Sequence, residues 1–424
     1  MGKSHFQSPR GTRDIVSPES DYIKFLVDTF AEHLSTAAYG QIVSPIFEDV
    51  GVFQRIGENT EIVSKEMFDF YDKDVKDPQH LALRPELTAS ICRAFAQHRP
   101  ITPWKVWYSG PQFRYEKPQA GRYRQFLQVG AEVLGTSDPG ADIEIISLAW
   151  AFFQRIGLRN TQLLINSLGD PESRNRYNDE LAKYLDDRKQ ELSEQSIVTL
   201  KTNPLRVLDS KREKDQEVID EAPVMESFLN EESAQHFKEV KDGLEVLGVP
   251  FKISPRLVRG LDYYTRTTFE FISPSLDTAQ NAIGGGGRYD GLVEALGGPE
   301  TEGIGFAVGI DRTLLACEAE KVVFDLDIGT DVFVVDTTGG REALLLSHEL
   351  RQLAIKTDRS FGGRSMKGQM KAADRSGARY AIIIGTDELE ENQVTLRDLR
   401  GEGQQTLVPR DMIGKNLLTI LQEK

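Results

Sequence analysis

The sequence is poor in the residues that build covalent or metal-held scaffolds. Two cysteines, Cys92 and Cys317, occur among 424 residues. Two cysteines so far apart exclude a disulfide framework and a cysteine metal site, and they favour a reducing, cytoplasmic location. Six histidines are present, and none forms the H-E-x-x-H pattern of a zinc enzyme. We therefore expect no metal cage built from protein side chains.

Long apolar runs and excess positive charge are also lacking. A transmembrane helix needs about 18 or more consecutive apolar residues, and the sequence contains no such run. The opening residues, MGKSHFQSPRG, are not apolar, so we expect no secretory signal. The net charge of −15 argues against a protein that coats nucleic acid by bulk charge. The remaining composition is that of a globular chain long enough for two or three domains.

Two glycine-rich segments lack a residue that a nucleotide-binding loop needs. In GGGGRYDG, from Gly284, the third glycine of G-x-G-x-x-G is replaced by Tyr289. In GGRSMKGQ, Gly363 and Gly368 have P-loop spacing, but Gln369 stands where the lysine is required. Both motif assignments are therefore rejected.

The chain is organised in three regions. Residues 1–325 contain most strand signals and most glycines. Within them, about 170–250 is charged, poor in glycine and periodic like helices, so we predict a helical insertion there. Residues 331–424 alternate buried strands with helices and end with a hairpin and a helix, which predicts a small α/β domain.

The excess of acid lies entirely in residues 1–330, because residues 331–424 hold 14 Lys/Arg and 14 Asp/Glu. Residues 356–379 hold seven Lys/Arg and two Asp. Lys367, Lys371 and Arg375 recur every four residues, which places them on one face of a helix. This face is either a solvated surface or a phosphate-binding patch.

The segment Trp104–Gly135 predicts two strands around a polar loop, KPQAGRYR. In the second strand Gln128, Gly130 and Glu132 share one face, opposite an apolar face. A glycine inside a strand usually leaves room for something, and Gln128 and Glu132 lie roughly 13 Å apart. They are either the two ends of a small-molecule site or a polar edge facing solvent.

Charged residues cluster at the ends of neighbouring elements. Arg114 and Glu116 follow the first of these strands, and Arg122 and Arg124 lie in or beside the loop. Arginine forks suit phosphates. Arg312 falls in the first turn of a predicted helix, where it opposes the helix dipole, so an anion or a salt bridge is expected nearby.

Two further segments carry polar groups beside predicted strands. LALRPELTASICRAFAQH predicts a strand and then a helix with Pro85 in its first turn, so Glu86 either stabilises the dipole or binds a ligand. In LVRGLDYYTRTTFEF, Tyr264, Arg266, Thr268 and Glu270 alternate with a second face that begins at Tyr263. Taken alone, the second segment is a strand with a polar outside, in which Arg266 and Glu270 form a structural pair.

Together these segments resemble the histidyl-tRNA synthetase family of class II aminoacyl-tRNA synthetases. YGQIVSPIFED is similar to the first class II motif, which implies that Pro45 lies at the dimer interface. FRYE together with QFLQVGAE is similar to the second class II motif, and GIGFAVGIDR is similar to the third. LVRGLDYYTRTTFEF and IGGGGRYDGLV resemble the two histidine signatures. GGRSMKGQMKAADRSGARYAIIIG resembles the anticodon-binding domain. The resemblance covers nearly the whole chain.

The resemblance implies that histidine and ATP form histidyl-adenylate, from which histidine passes to its tRNA. It implies catalytic roles for Arg114 and Arg259 at the α-phosphate. It implies a histidine site of Glu86, Thr88, Arg114, Gln128, Glu132, Arg259, Tyr263 and Tyr264, and an ATP site of Arg114, Glu116, Arg122 and Arg312. It also implies Mg²⁺ bound with the ATP phosphates, and tRNA contacts from Arg124, Lys367, Lys371 and Arg375.

The fold implied is α+β: an antiparallel sheet flanked by helices, a helical insertion near the tRNA acceptor stem, and an α/β domain that binds the anticodon arm. A homodimer with no membrane contact is implied. RPELTAS departs from the family by having Leu87 and Ser90 in place of glycines, and Asp311 replaces a usual glutamate. The alternatives are an inactive paralogue, such as a regulatory subunit of ATP phosphoribosyltransferase, and a sensor of uncharged tRNA. The enzyme is favoured over these alternatives because the sequence contains the C-terminal domain, residues 331–424, and the three arginines Arg114, Arg259 and Arg312.

Overall fold

The computed structural model describes residues 6–55, 62–258, 263–276, 281–324, 326, 328–401 and 403–422. The chain divides into two compact units, Met1–Phe324 and Asp325–Lys424. Among these described residues, no helix combines the length and the apolar character that crossing a membrane requires.

The centre of the first unit is a sheet. The strands of this unit are β1 (Gly40–Gln41), β2 (Phe47–Asp49), β3 (Phe68–Tyr71), β4 (His80–Leu83), β5 (Trp104–Phe113), β6 (Gln125–Leu134), β7 (Gln162–Ser167), β8 (Phe251–Ile253), β9 (Thr265–Ile272), β10 (Ala282–Arg288) and β11 (Gly303–Gly309). The main sheet has the order β1-β5-β6-β11-β10-β9-β7-β8. The two edge strands pair in parallel, and every pair between them is antiparallel. The predicted antiparallel sheet is confirmed.

Helices cover this sheet and contribute to its core. The helices described in the first unit are α1 (Glu19–Thr36), α2 (Val50–Gln54), α3 (Thr88–His98), α4 (Pro139–Arg155), α5 (Pro171–Asp187), α6 (Glu194–Leu200), α7 (Glu213–Asp220), α8 (Glu231–Val246), α9 (Leu292–Ala295) and α10 (Ile310–Ala319). Val129, Ala131 and Val133 of β6 pack with Phe30 of α1 and Phe152 of α4. The apolar face predicted for β6 therefore points into the core, and its other face is left for the site.

The region predicted to be helical contains α5 to α8 and divides between two cores. Tyr177 and Leu181 of α5 join Val218 of α7 in a small separate cluster. Phe237 and Val240 of α8 instead belong to the main core. Asp170, Ser193 and Asn230 cap α5, α6 and α8 with side-chain oxygens, which fixes where these helices begin.

A separate small sheet of the first unit has the order β2-β4-β3. One of its faces is apolar and exposed: the rings of Phe47 and Phe70 meet edge to face, with centroids 6.4 Å apart, although both side chains are substantially exposed to solvent. Nothing in the first unit covers this face among the residues that the structure describes.

The second unit has the elements β12 (Val332–Asp336), α11 (Arg341–Gln352), β13 (Thr357–Arg359), α12 (Met366–Arg375), β14 (Tyr380–Ile384), α13 (Thr386–Glu390), β15 (Gln393–Asp398), β16 (Gln405–Pro409) and α14 (Ile413–Gln422). Its sheet has the order β13-β12-β14-β15-β16. The first three strands are parallel, and β15 and β16 form the predicted hairpin. The predicted α/β fold is confirmed, and the short, polar β13 is the strand that sequence patterning missed.

Candidate active site

A cleft of ≈ 330 Å³ lies in the first unit and is lined by residues of β6, β10 and β11. Its walls also include the loop after β5, the start of α3 and the start of α10. The residues predicted for the site that line this cleft are Glu86, Thr88, Arg114, Glu116, Arg122, Gln128, Tyr263, Tyr264 and Arg312. Segments far apart in the chain are thus brought to one place.

Arg114 is held by contacts beside the cleft. Its Nε donates a hydrogen bond of 2.9 Å to the carbonyl oxygen of Pro85. Its guanidinium lies 5.2 Å from the ring centroid of Phe126. Burial lowers the pKa of Arg114, with carboxylates including Glu66 and Glu86 acting in the opposite direction. The side chain is therefore oriented by neighbours while its remaining N–H groups stay available to an anion.

Arg312 is oriented by two carbonyl groups. Its Nε donates to Gly121 O at 3.2 Å, and its Nη1 donates to Ala282 O at 3.1 Å. Burial lowers the pKa of Arg312, and the charges of Arg122 and Arg114 lower it further. These three cations, the arginine cluster, repel one another in a partly buried place, which is the arrangement that an anionic ligand stabilises. Of the two explanations offered for Arg312, the nearby anion fits this geometry better than a structural salt bridge.

Glu116 and Arg122 form a salt bridge with each other. The bridge joins two residues that the family resemblance assigns to the ATP site. Because Arg122 belongs to the arginine cluster, this bridge offsets part of the positive charge. A ligand anion that approaches Arg122 competes with Glu116 for it.

Carboxylates and hydroxyls form a second group, the carboxylate network of Glu86, Thr88, Glu132 and Tyr289. Glu86 accepts hydrogen bonds from the backbone N–H groups of Thr88 (2.7 Å) and Ala89 (2.9 Å), so it caps α3. Glu132 accepts from Thr88 Oγ1 at 2.9 Å and from the Tyr289 hydroxyl at 2.7 Å. Burial raises the pKa of Glu132 to about 8, although both hydrogen bonds act to lower it.

The structure revises two expectations about this network. Glu132 is 1% exposed and lies behind Thr88 and Tyr289, which themselves line the cleft. Pro85, predicted in the first turn of α3, precedes the helix, because α3 begins at Thr88 and the Glu86 side chain occupies the capping role. The dipole explanation for Glu86 is thus supported, and its place in the cleft wall leaves a binding role open.

Glycines on the central strands make room for buried side chains. A Cβ at Gly130 would lie 2.3 Å from the hydroxyl of Tyr108, the residue opposite it on β5. The room expected beside Gly130 is therefore filled by a tyrosine of the protein. A Cβ at Gly305, opposite Glu132 on β11, would lie 1.5 Å from Glu132 Oε2. Glu132 thus reaches its position because residue 305 has no side chain.

Three tyrosines meet at the cleft. The ring centroids of Tyr263 and Tyr264 are 4.6 Å apart, and those of Tyr263 and Tyr289 are 6.0 Å apart. Sequence reasoning gave no role to Tyr108 or Tyr289. The signal lies in glycines: Tyr108 is opposite Gly130 on β6, and the Tyr289 ring occupies the space that a Cβ at Gly303 would need.

Several other predicted residues lie elsewhere. Arg259 falls outside the described residues. The structural pair expected between Arg266 and Glu270 is wrong: Arg266 Nη2 lies 2.6 Å from Glu232 Oε1 on α8, whereas Glu270 lines the cleft. The physical reason is a positive φ of 45° and a register shift at this end of β9, which turn Arg266 away from Glu270.

The residues predicted to contact tRNA have different surroundings. The Arg124 guanidinium lies 3.7 Å from the ring centroid of Tyr115, and its Nε donates to Glu116 O at 3.2 Å. Arg124 is therefore engaged in holding its own loop. In the second unit, Lys367, Lys371 and Arg375 lie on α12, as predicted, and all three are exposed.

Metal-binding groups do not gather in the part of the chain that the structure describes: no three His, Cys, Asp or Glu side chains are placed to hold an ion there. Carboxylates do line the cleft singly, at Glu86, Glu116, Glu270 and Asp311. One or two carboxylates together with substrate phosphates are the ligands that Mg²⁺ usually has.

The mainly antiparallel sheet, its flanking helices and the arginine-lined cleft define the first unit as a class II aminoacyl-tRNA synthetase catalytic domain. A family model described as histidyl-tRNA synthetase matches residues 11–313, and one described as an anticodon binding domain matches residues 331–420. Two similar proteins are named histidine–tRNA ligase. The one from Rhodococcus erythropolis is 46% identical, and the alignment covers 97% of each chain; the one from Bacillus subtilis is 44% identical over 96% of this chain and 97% of its own.

A solved structure agrees with these sequence matches. The apo histidyl-tRNA synthetase of S. aureus superposes with a TM-score of 0.81 at 37% identity, covering 97% of this chain and all of that one. The chain belongs to the histidyl-tRNA synthetase family, and its function is that of a histidine–tRNA ligase. The family resemblance, the fold class and the enzyme class predicted from the sequence are confirmed.

Proposed function

We propose that the cleft of the first unit binds ATP and L-histidine together and joins them as histidyl-adenylate with release of pyrophosphate. The chain then transfers histidine to the 3′ end of its tRNA. The observation that carries this assignment is the presence of the arginine cluster and the carboxylate network in one cleft of ≈ 330 Å³. One group suits polyphosphate, and the other suits an amino acid with a basic side chain.

The arginine cluster stabilises the charge that develops during adenylation. The histidine carboxylate attacks the α-phosphorus, and negative charge grows on the phosphoryl oxygens until pyrophosphate leaves. Arg114, already fixed by Pro85, meets that charge without reorganisation. Arg122 and Arg312 hold the outer phosphates, and Arg259 takes the second position at the α-phosphate by resemblance to the family.

The carboxylate network selects histidine. Thr88 and Glu86 receive the ammonium group, Gln128 contacts the backbone end of the amino acid, and the tyrosines enclose the imidazole. Glu132 acts from behind Thr88 and Tyr289 by fixing their hydroxyl groups. An amino acid that leaves these polar groups unpaired is rejected, because unpaired buried polar groups are costly.

Mg²⁺ fits the cleft as a companion of ATP. Glu270 and Glu116 would hold it together with substrate phosphates, as the single carboxylates in the cleft wall suggest. The ion would supply further neutralisation of phosphate charge. The protein's own contribution is the orientation of the arginine cluster.

The second unit binds the anticodon arm of the tRNA through residues 356–379. Its exposed cations on α12 suit phosphates. Beside them Phe361 is 66% exposed, and the Arg359 guanidinium lies 4.5 Å from its ring centroid. An exposed ring with one arginine beside it suits stacking of an unpaired base.

Two copies of the chain associate through the apolar face of the β2-β4-β3 sheet. Phe47 and Phe70 are exposed on this face, and Val43, four residues before Phe47 in the chain, is 84% exposed. Arg84, which is buried, donates to the carbonyl groups of Ser44 and Pro45 and so fixes the segment that precedes β2. Sedimentation velocity tests this association: Phe47→Asp should convert the dimer to a monomer.

We place the reaction in the cytoplasm, because a reducing compartment suits the two buried free thiols, Cys92 and Cys317.

Histidine-dependent exchange of pyrophosphate into ATP tests the assignment directly. Exchange should require L-histidine and be absent with the other protein amino acids. Aminoacylation of total tRNA should then place labelled histidine on a single isoacceptor group. Exchange that proceeds equally well with another amino acid, or no exchange with histidine, would contradict the proposal.

A further inference from the structure

The chain before α1 contacts the loop that carries Arg122. This cleft loop comprises residues 117–124. The backbone N–H of Arg124 donates to Gly11 O at 2.7 Å. Gly11 has a φ of 85°, and a Cβ there would lie 2.7 Å from Arg124 Cγ and 3.0 Å from Pro118 Cγ. The approach is therefore so close that residue 11 has to be a glycine.

Arg13 lies two residues further on and joins three segments. Its guanidinium lies 4.7 Å from the ring centroid of Tyr123, in the cleft loop. Its Nη2 donates to Asp311 Oδ1 at 3.0 Å, at the start of α10. Its Nη1 donates to Glu19 Oε2 at 2.6 Å, in the first turn of α1. One planar group thus connects the cleft loop, α10 and the N-terminal helix.

Asp311 extends this connection into the sheet. Its second oxygen, Oδ2, accepts a hydrogen bond of 3.1 Å from the backbone N–H of Leu127. Leu127 precedes Gln128, which lines the cleft. The carboxylate is 7% exposed, so Arg13 supplies the charge that compensates for its burial.

The cleft loop is consequently fixed on both sides of Arg122. Arg312 binds the carbonyl of Gly121, and Arg13 stacks on Tyr123. We propose that Arg13 is a positioning residue for ATP: it sets the place of Arg122 and of the start of α10 without touching the substrate. This inference rests on the proposed ATP site and adds the N-terminal segment to it.

The competing explanation is that Arg13 only anchors α1 through Glu19. Three variants separate the two. Arg13→Ala removes all of its contacts, and Arg13→Lys keeps a charge near Asp311 but loses the planar stack on Tyr123 and the forked geometry. Glu19→Gln weakens the anchor to α1 and leaves the contacts with Tyr123 and Asp311 in place. Histidine-dependent pyrophosphate exchange gives the KM for ATP and for histidine, and thermal melting reports the fold.

We expect Arg13→Ala to raise the KM for ATP about tenfold, which corresponds to roughly 1.4 kcal/mol, with the KM for histidine changed less than twofold. Arg13→Lys should recover part of the loss, and Glu19→Gln should leave both constants unchanged. Equal changes in the two constants, or a lower melting temperature with an unchanged KM for ATP, would overturn the positioning role. Histidine-dependent exchange by the unaltered protein tests the proposed function separately.

Trypsin provides a readout that does not depend on turnover. Arg122 and Arg124 are cleavage sites within the cleft loop. Loss of the Arg13 contacts should speed cleavage after these residues, and ATP should protect the unaltered protein more than the Arg13→Ala variant. Identical cleavage rates in both proteins, with and without ATP, would contradict a role for Arg13 in fixing this loop.

Discussion

The cleft of the first unit and the α12 surface of the second unit use charge in opposite ways. In the cleft, Arg114, Arg312 and Glu132 are buried or held by neighbours from distant parts of the chain. On α12, Lys367 and Lys371 are exposed, and their common direction comes from their spacing on one helix. A preorganised buried site depends on each contact, whereas an exposed patch contributes in graded steps.

Loss of a cleft cation should have the largest effect. Arg114→Ala should slow adenylate formation several hundredfold, roughly 3–4 kcal/mol of transition-state stabilisation, because a preorganised charge is removed from the site of reaction. The same loss is expected for Arg259→Ala from the family resemblance. Single-turnover formation of histidyl-adenylate measures the loss, and Arg188→Ala, at the C-cap of α5, is the control. A near-normal rate of adenylate formation in Arg114→Ala would contradict a catalytic role for Arg114.

Filling the space at Gly305 should have the next largest effect. In Gly305→Ala the new methyl group would overlap Glu132 Oε2, so the carboxylate must move away from Thr88 and Tyr289. We expect the KM for histidine to rise at least tenfold, about 1.4 kcal/mol or more. Gly40→Ala, on the edge strand β1, is the matched control, since its Cβ would meet nothing closer than 4.0 Å. An unchanged KM in Gly305→Ala would show that the position of Glu132 is not critical.

Reversing charge on α12 should have a moderate and selective effect. The double variant Lys367→Glu/Lys371→Glu should raise the KM for tRNA about tenfold, because phosphate contacts contribute electrostatic affinity. Pyrophosphate exchange should be unaltered. The control Arg341→Glu/Lys415→Glu changes two exposed cations of the same unit. Added salt should shrink the difference between the variants. Equal tRNA KM values for both double variants would assign tRNA contact to another surface.

The pH dependence of stability should show the smallest effect. The pKa of Glu132 is about 8 in the folded protein, above its unfolded value, so its stabilising contribution is complete below the unfolded pKa and is lost as the pH rises through about 8. Glu132→Gln cannot titrate. The melting temperature of the unaltered protein should therefore fall relative to that of the variant between pH 5 and pH 8, by roughly a few degrees. Parallel melting curves across this range would contradict the raised pKa.

Periodicity predicted much of the fold because the core is built on it. The alternation of Val129, Ala131 and Val133 identified the buried face of β6, and the β15–β16 hairpin followed from its turn. The resemblance then brought together the residues of the cleft. What sequence patterning missed has a common physical origin: it depends on which residue lies across from which on neighbouring strands.

Tyr108 opposite Gly130 and Glu132 opposite Gly305 illustrate this limit. Neither pair is visible until the register between strands is known. Arg266 is a second case: a positive φ directs its side chain to Glu232 on α8, against the simple alternation expected for a strand. The N-terminal contacts of Arg13 likewise depend on tertiary structure, since Asp311 lies far away in the chain.

The glycines at the centre of the main sheet also bear on the order in which the protein folds. β10 contains four consecutive glycines, and β11 contains Gly303, Gly305 and Gly309. Glycine in a strand loses about 0.5–1 kcal/mol relative to alanine, so these strands have little preference of their own for the extended form. β10 pairs with its chain neighbours β9 and β11, but β11 joins the sheet to β6, which is remote in sequence, and closing such a long loop is slow. We expect the β5–β6 hairpin to gain protection early in pulse-labelled hydrogen exchange, and β10 and β11, which complete the cleft, to gain it last.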